Sequence, residues 1–249
     1  MKKAILLSSV LAIGAAFATE VTSGNAIGVL KFPTTNRPAV MLVAVPFAGY
    51  GSEACNVKVT DLISTSGLPE GTVLRAASAT ANKYDAWRLE GGRWTPIEAV
   101  TIDDAGVGKI STTGSAADKT IGRGNSVWLD FSDLTEPLTK PANVTLLGQM
   151  PMPGEGSLTL APGKWSLIGN PGVTASFNLK SAIMNAGTRD RICVQDANGN
   201  LKDYTYSGGD WKFRGSDGTV QAVGEGGLIV RDGEGCWYFA NGAGRLFTF

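Results

Sequence analysis

The hydrophobic positions along this chain fall in short runs that are separated by glycine, proline and polar residues. The run Val40–Val45 is continuous and rich in branched side chains, and Pro46 ends it, which is typical of a buried strand. Similar short runs follow at 72–76, 84–89, 93–97 and 126–131. Gly-Gly and Asp-Gly turns separate several runs, and such turns join antiparallel strands. The pattern predicts an all-β chain.

Two segments have helical rather than strand-like spacing. Apolar residues recur at intervals of three and four between Val59 and Ile63, and again between Leu179 and Met184. In the second segment Ser176 can serve as the N-cap and Gly187 can end the helix. We therefore expect two short helices. The stretch 102–121 is polar and predicts a long loop excursion.

One motif occurs twice, and it divides the chain. A Gly-Gly turn before a tryptophan is followed by a second Gly-rich turn before another tryptophan, ending at Trp94 and Trp128 in the first copy and at Trp211 and Trp237 in the second. A Pro/Gly-rich joint, Gln149–Gly156, separates the copies. The recurrence predicts an internal duplication, with β module 1 at 19–150 and β module 2 at 151–249. Each module is expected to be a small β-sandwich or partly closed barrel with one short helix.

The first residues have the composition of a signal peptide. Lys2 and Lys3 form a basic start, an apolar run follows, and Ala16-Phe17-Ala18 fits a small-residue cleavage site. The apolar run is shorter than a membrane span. Residues 1–18 are therefore predicted to be a removed leader, which makes the protein exported: periplasmic, on the outer surface or extracellular. No later stretch predicts an integral membrane span.

Charge and cysteine content narrow the classes of partner. Without Lys2 and Lys3 the chain has two more acidic than basic residues and no basic stripe, so nucleic acid is not an expected partner. The chain has three cysteines, at 55, 193 and 236. Either all three are small buried side chains, or two pair in the oxidising environment of export. Cys193 and Cys236 are then the expected disulfide pair, because both fall in module 2.

The chain contains no histidine, which excludes histidine-based triads and histidine metal ligands. No nucleophile elbow or phosphate-binding loop occurs. We therefore predict no catalytic residues, no metal and no cofactor. Carboxylates are the remaining candidates for chemistry, as a glycosidase would use them, and the available pairs are Asp85/Glu90, Asp103/Asp104, Asp130/Asp133 and Asp203/Asp210.

Aromatic side chains are the remaining candidates for binding. The four tryptophans of the repeated motif recur at matching positions, which favours a role in the core. Trp87, Trp165, Tyr204 and Tyr206 lack identical counterparts in the other copy. They are the predicted ligand-binding residues, because exposed aromatic rings form flat platforms for sugars.

The order of these motifs resembles that of exported two-module β-repeat proteins of Verrucomicrobia-type bacteria. The resemblance lies in the strand that ends at Asn170-Pro171, in the hairpin Tyr204–Trp211 and in the turn Asp232–Trp237. Module 1 departs from the pattern, since Val45 stands where the family has Asn before Pro46. The resemblance covers nearly all of the chain after the leader, but it supplies no activity and no catalytic residues.

Together these observations predict a non-enzymatic structural or interaction protein of the cell envelope or secreted fraction. Its expected partners are envelope components, glycans or a second copy of the chain. A carbohydrate-binding module that uses exposed aromatic residues is the alternative. A carboxylate-dependent glycosidase is the third interpretation.

Overall fold

A computed structural model describes residues 27–34, 40–47, 56–78, 83–102, 108–114, 119–136, 138, 141–150, 156–172, 177–196, 200–215, 217–224, 228–230 and 233–249. The fold is all-β, with antiparallel pairing throughout the named strands and two short helices. None of the sheets formed by the described residues closes into a barrel. The predicted leader 1–18 and Cys55 lie outside the described residues.

The first half of the chain contains ten strands and one helix within the described residues. In order they are β1 (Ile27–Pro33), β2 (Val40–Ala44), β3 (Asn56–Lys58), α1 (Val59–Leu62), β4 (Val73–Ala77), β5 (Lys83–Glu90), β6 (Arg93–Ile102), β7 (Gly108–Gly114), β8 (Thr120–Gly122), β9 (Ser126–Asp130) and β10 (Asn143–Gln149).

The second half follows a similar order. Its elements are β11 (Ser157–Leu160), β12 (Trp165–Gly169), β13 (Phe177–Asn178), α2 (Leu179–Ala182), β14 (Ile183–Met184), β15 (Arg191–Gln195), β16 (Leu201–Ser207), β17 (Asp210–Arg214), β18 (Val220–Ala222), β19 (Ile229–Val230), β20 (Gly235–Phe239) and β21 (Arg245–Thr248).

The two large sheets have the same strand order. The first runs β2-β9-β4-β5-β6-β7 and the second runs β12-β20-β15-β16-β17-β18. The smaller sheets also correspond: β1-β10 with β11-β21-β14, and β3-β8 with β13-β19. In each large sheet the first strand pairs with β9 or β20, which pairs in turn with the first of four consecutive antiparallel strands.

Each half has its own hydrophobic core on one face of its large sheet. Trp87 and Leu74 lie in the first core, and Trp211, Tyr238 and Phe247 lie in the second. Burying one large aromatic side chain removes about 150–250 Å² from water, so these rings are a main source of stability for each half.

The Gly-Gly turn that precedes Trp94 joins β5 to β6 in a hairpin, as its turn chemistry predicts. Gly91 and Gly92 both have positive φ, 58° and 73°, which is unfavourable for any residue with a Cβ. The Glu70 carboxylate accepts hydrogen bonds from both glycine N–H groups, at 2.9 and 2.8 Å. Trp94 packs against the first core and its Nε1 donates to the carbonyl of Ile63, which ties the hairpin to the residue after α1.

Two sequence predictions about local structure were wrong in detail. Helix α2 is capped by Asn178, whose side chain accepts from the N–H of Lys180, and it ends at Ala182 rather than near Gly187. Ile183 and Met184 instead pair with β21, since a strand lets them join the sheet that closes this half. The predicted excursion 102–121 contains β7, part of β8 and the end of β6.

The two halves meet through reciprocal backbone hydrogen bonds. The Ala44 N–H donates to the Gly233 carbonyl and the Gly169 N–H donates to the Gly124 carbonyl, each at 2.8 Å. Ala44 and Gly169 end the first strands of the two large sheets, while Gly124 and Gly233 precede β9 and β20. The contact therefore joins matching positions in both directions.

Aromatic packing extends this contact. Trp128 and Trp237 occupy matching positions on β9 and β20, and their ring centroids lie 6.0 Å apart in an edge-to-face arrangement. Both side chains are half-buried. The tryptophans that follow the second Gly-rich turn, Trp128 and Trp237, thus pack where the halves meet. Those that follow the Gly-Gly turn, Trp94 and Trp211, pack in the separate cores.

Close backbone approach at this contact requires glycine at position 169. A Cβ added to Gly169 would lie 2.7 Å from the Cα of Ala44 and 2.9 Å from the carbonyl oxygen of Asn125. Because both obstacles are backbone atoms, we expect Gly169→Ala to lower the free energy of unfolding by about 1–3 kcal/mol in urea denaturation. Gly224→Ala is the matched control, since its added Cβ would meet nothing within 4 Å. Equal stability of the two variants would show that the backbone at this contact shifts to accommodate the added Cβ at little cost.

Both helices are four residues long. Within the described residues no helix combines the length and apolar character that crossing a bilayer requires.

Candidate functional site

Two of the four predicted binding residues occupy matching core positions. Trp87 lies opposite Pro96 in the β5–β6 hairpin, and Tyr204 lies opposite Phe213 in the β16–β17 hairpin. Trp87 is fully buried, so it offers no ring face to a large ligand on the surface. Tyr204 is half-buried against the second core, and burial raises the pKa of its hydroxyl. The two residues therefore occupy equivalent positions but differ in type, so a search for identical residues in the two halves does not match them.

The other two differ in exposure. Tyr206 is half-buried and packs edge-to-face on Trp211, with ring centroids 5.3 Å apart. Trp165 is 43% exposed, and it lies on the face of its sheet opposite the second core. Of the four predicted residues, Trp165 alone presents a large ring to solvent.

Trp165 belongs to a compact group of side chains, which we call the Trp165 platform: Trp165, Phe239, Arg191 and Asp203. The Phe239 ring lies 5.4 Å from that of Trp165, and the Arg191 guanidinium lies 5.2 Å from the Trp165 centroid. Asp203 binds Arg191 through both carboxylate oxygens. This hydrogen bonding raises the pKa of Arg191 and holds the guanidinium in one orientation.

Strand register assembles the platform. Trp165 on β12 pairs with Phe239 on β20, which pairs in turn with Arg191 on β15. Asp203 on β16 lies opposite Cys193, two residues from Arg191 and on the same face of the sheet. Side chains at i and i+2 of a strand point to one face, so the four side chains share a single surface. The platform combines two aromatic rings with a fixed donor–acceptor pair.

Four of the carboxylates considered for a glycosidase are held in close ion pairs, and a fifth, Glu90, lies 3.9 Å from Arg88 on the surface. Asp85 binds Lys119 at 2.5 Å, Asp130 binds Arg75 at 2.9 Å and Asp210 binds Lys180 at 2.9 Å, while Asp203 binds Arg191 as described above. The hydrogen bond from Lys180 lowers the pKa of Asp210, whereas a general acid for glycoside cleavage needs a raised pKa. Asp103 and Asp104 lie outside the described residues. These contacts suit carboxylates that fix the fold.

The predicted cysteine pair is not joined in the structure, and both thiols are free. Cys193 lies opposite Trp237, whereas Cys236 lies opposite Val194 on the adjacent strand. The two side chains therefore point to opposite faces of the sheet, which prevents a bond without a change of register. Burial raises the pKa of Cys193 to about 11 and also raises that of Cys236, so neither thiol is a reactive nucleophile near neutral pH.

Asp190 is a buried carboxylate that no sequence motif marks as a candidate. Arg245 donates to both of its oxygens, at 2.6 and 3.1 Å, and the Tyr238 hydroxyl donates at 2.5 Å. The N–H groups of Gly187 and Asn241 complete the set. Burial alone would raise the pKa of Asp190, but these donors together hold it below its ordinary value. The cluster ties the loop between β14 and β15 to β20, to β21 and to the loop between those two strands.

No group of three or more potential metal ligands occurs among the histidine, cysteine and acidic residues that the structure describes. Sequence reasoning missed Phe239, Arg191 and Asp203 as partners of Trp165. The signal was present in part, since an Asn-Gly pair at 198–199, which lies outside the described residues, is a sequence typical of a hairpin turn between the strands that carry Arg191 and Asp203. The pairing of β12 and β15 with β20 spans many residues, and no local pattern specifies it.

Comparison of the chain with protein-family models and with curated proteins finds no match. Its function is therefore inferred from the arrangement of its own residues.

Proposed function

We propose that this chain is an exported, non-enzymatic interaction protein built from two copies of one β module. The identical strand order of the two large sheets supports the duplication, as do the reciprocal hydrogen bonds between matching positions. Export rests on the leader-like composition of residues 1–18. The resemblance to exported two-module β-repeat proteins is part of the same proposal.

The observation that carries an interaction role is the Trp165 platform. Large aromatic side chains beside arginine are typical of residues that dominate binding energy at protein surfaces. Trp165 is 43% exposed although its neighbours on β12, Leu167 and Ile168, are buried. An exposed tryptophan of this kind adds nothing to its own core and is free to contact a partner.

Carbohydrate binding is the second candidate, and the composition of the platform favours it. A sugar presents an apolar face that packs on an aromatic ring and hydroxyl groups that both donate and accept hydrogen bonds. Trp165 and Phe239 supply rings, Arg191 supplies donors and Asp203 supplies acceptors. The four side chains match this chemistry without movement of the backbone. The ligand would be a glycan of the envelope or of a neighbouring cell surface.

A glycan-array screen with the chain that begins at Thr19 tests the carbohydrate candidate. We expect binding to a restricted set of glycans and at least a tenfold loss of affinity, about 1.4 kcal/mol, for Trp165→Ala. Leu201→Ala is the matched control, since Leu201 is 58% exposed and lies on β16 of the same sheet, opposite Gln195 and outside the platform. A native-mass measurement of the same sample determines whether the partner is a second copy.

The outcomes separate the two candidates. Loss of glycan binding in Trp165→Ala but not in Leu201→Ala supports the carbohydrate role. Self-association that is lost in Trp165→Ala, without glycan binding, supports an interaction role between copies. If Trp165→Ala behaves as the wild-type chain in both measurements, the platform is not the binding surface.

A further inference from the structure

A cavity of about 350 Å³ lies in the first half, between α1 and the β5–β6 hairpin. Its apolar walls are the rings of Trp94 and Pro96, and Trp87 lies at its buried floor. Its polar walls are Lys58, Thr60, Thr65 and Arg93. This volume is at the lower end of the range for small-molecule sites and fits a ligand of monosaccharide size. The cavity is separate from the Trp165 platform, which belongs to the second half.

The polar walls offer hydrogen-bond donors and positive charge. Lys58 and Arg93 are cationic, and no carboxylate is among the described residues that line the cavity. Arg93 forms no ion pair with any residue that the structure describes. Thr60 and Thr65 add hydroxyl groups, which can donate as well. An anion is the ligand that this set of groups complements.

An unpartnered donor belongs to one of the residues that line the cavity. The Nε1 of Trp87 is buried and has no hydrogen-bond partner within the described residues. By contrast, the Nε1 of Trp94 donates to the carbonyl of Ile63. A buried N–H group without an acceptor is costly, and native structures rarely leave one without a functional reason. A ligand oxygen would satisfy this donor.

The matching place in the second half is closed by an ion pair. Lys180 is the second residue of α2 and Asp210 is the first residue of β17, and their side chains meet at 2.9 Å. Thr60 and Arg93 occupy these positions in the first half, at the second residue of α1 and the first residue of β6. Threonine and arginine cannot form that ion pair, so the helix and hairpin are not linked there. The ion pair that bridges helix and hairpin in the second half therefore has no equivalent between Thr60 and Arg93 in the first half.

We propose that this cavity binds a small organic carboxylate of the size of a hexuronic acid. The carboxylate contacts Arg93 and Lys58, the sugar-sized body packs against Trp94 and Pro96, and a ligand oxygen accepts from Trp87 Nε1. At the binding free energy per non-hydrogen atom that is usual for small ligands, the expected dissociation constant is about 1 mM. Because cationic side chains near the surface supply much of the attraction, affinity falls as the salt concentration rises.

Isothermal titration calorimetry with D-glucuronate tests the proposal, and D-glucose serves as the uncharged comparison. The decisive variant combines Thr60→Lys with Arg93→Asp, which reproduces the ion pair of the second half and so closes the cavity while keeping helix and hairpin linked. We expect it to weaken glucuronate binding at least tenfold. Arg88→Ala is the matched control, because Arg88 lies on the same hairpin and is exposed but is not among the residues that line the cavity.

Thermal unfolding of each variant confirms that the fold is retained before binding is compared. Binding of glucuronate, but not glucose, that survives Arg88→Ala and is lost in the double variant supports the site. Equal binding of both sugars overturns the anion preference. No binding of glucuronate at about 20 mM, well above the expected dissociation constant, overturns the proposal. Unchanged affinity in the double variant does so as well.

Discussion

Asp190→Asn is expected to lower the free energy of unfolding by about 3–5 kcal/mol, which is much of the stability of a small domain. The substitution keeps the shape of the side chain but removes its charge. Arg245 then remains nearly buried, with 8% of its side chain exposed and no counter-charge in contact. Asparagine also has one oxygen acceptor where the carboxylate has two, and Asp190 accepts hydrogen bonds from five groups at both oxygens.

The same contacts predict a dependence of stability on pH. The pKa of Asp190 is lower in the folded chain than in the unfolded chain. Its contribution is therefore complete above the ordinary aspartate pKa of about 3.9 and is lost as the pH falls through the lower folded value. The stability gap between the wild-type chain and Asp190→Asn should narrow over this acidic range. Urea denaturation at a series of pH values measures it.

Asp217→Asn is the control for this experiment. Asp217 also has a lowered pKa, because Thr219 donates to it, but the carboxylate lies on an exposed turn. Its substitution should change stability far less than Asp190→Asn does. A loss of similar size in both variants would show that the Asp190 cluster contributes no more than a surface turn.

Trp87→Ala is the second large effect that we expect, with a loss of about 3–5 kcal/mol in the free energy of unfolding. Trp87 is fully buried and is among the largest side chains in the first core. Alanine in its place leaves a cavity next to Leu74, its cross-strand neighbour on β4, and the rigid sheet cannot collapse to fill it. Denaturant unfolding monitored by circular dichroism measures the loss.

Trp165→Ala is the matched variant, since it removes the same side chain from an exposed position. It deletes the contacts with Phe239 and Arg191 but opens no buried cavity, so its cost should stay near 1 kcal/mol. A large difference between the two variants separates a core residue from a surface residue. If Trp165→Ala destabilises the chain as much as Trp87→Ala, the Trp165 platform is a structural element.

Strands with apolar composition could be predicted from the sequence, and those with polar composition could not. The run Val40–Val45 and the stretch 93–97 were confirmed as β2 and the start of β6. Strand β7, Gly108–Gly114, has few apolar residues and sits at the end of its sheet's strand order. Backbone hydrogen bonds to β6 stabilise such a strand, and the pattern of its side chains does not identify it as a strand in the sequence.

Tertiary pairing also overrode local patterns at the end of α2. Ile183 and Met184 continue the helical spacing, but pairing with Phe247 and Leu246 places them in a strand. The candidate site shows the same limit. Trp87 is predicted as a binding residue because the second half has no identical residue at the corresponding place in the sequence, but by strand register Tyr204, another aromatic residue, holds the equivalent position. The strand register of the folded sheet shows which core positions are equivalent in the two halves and which positions are exposed.

In each half of the chain, the first strand pairs with the last strand of the same half. Ile27 on β1 pairs with Gln149 on β10, and Ser157 on β11 pairs with Thr248 on β21. The first half can therefore complete its sheets before the second half has left the ribosome. Bringing such distant strands together has an entropic cost that slows folding to about milliseconds to seconds. The contact between the halves is then the last to form, by docking of two finished units.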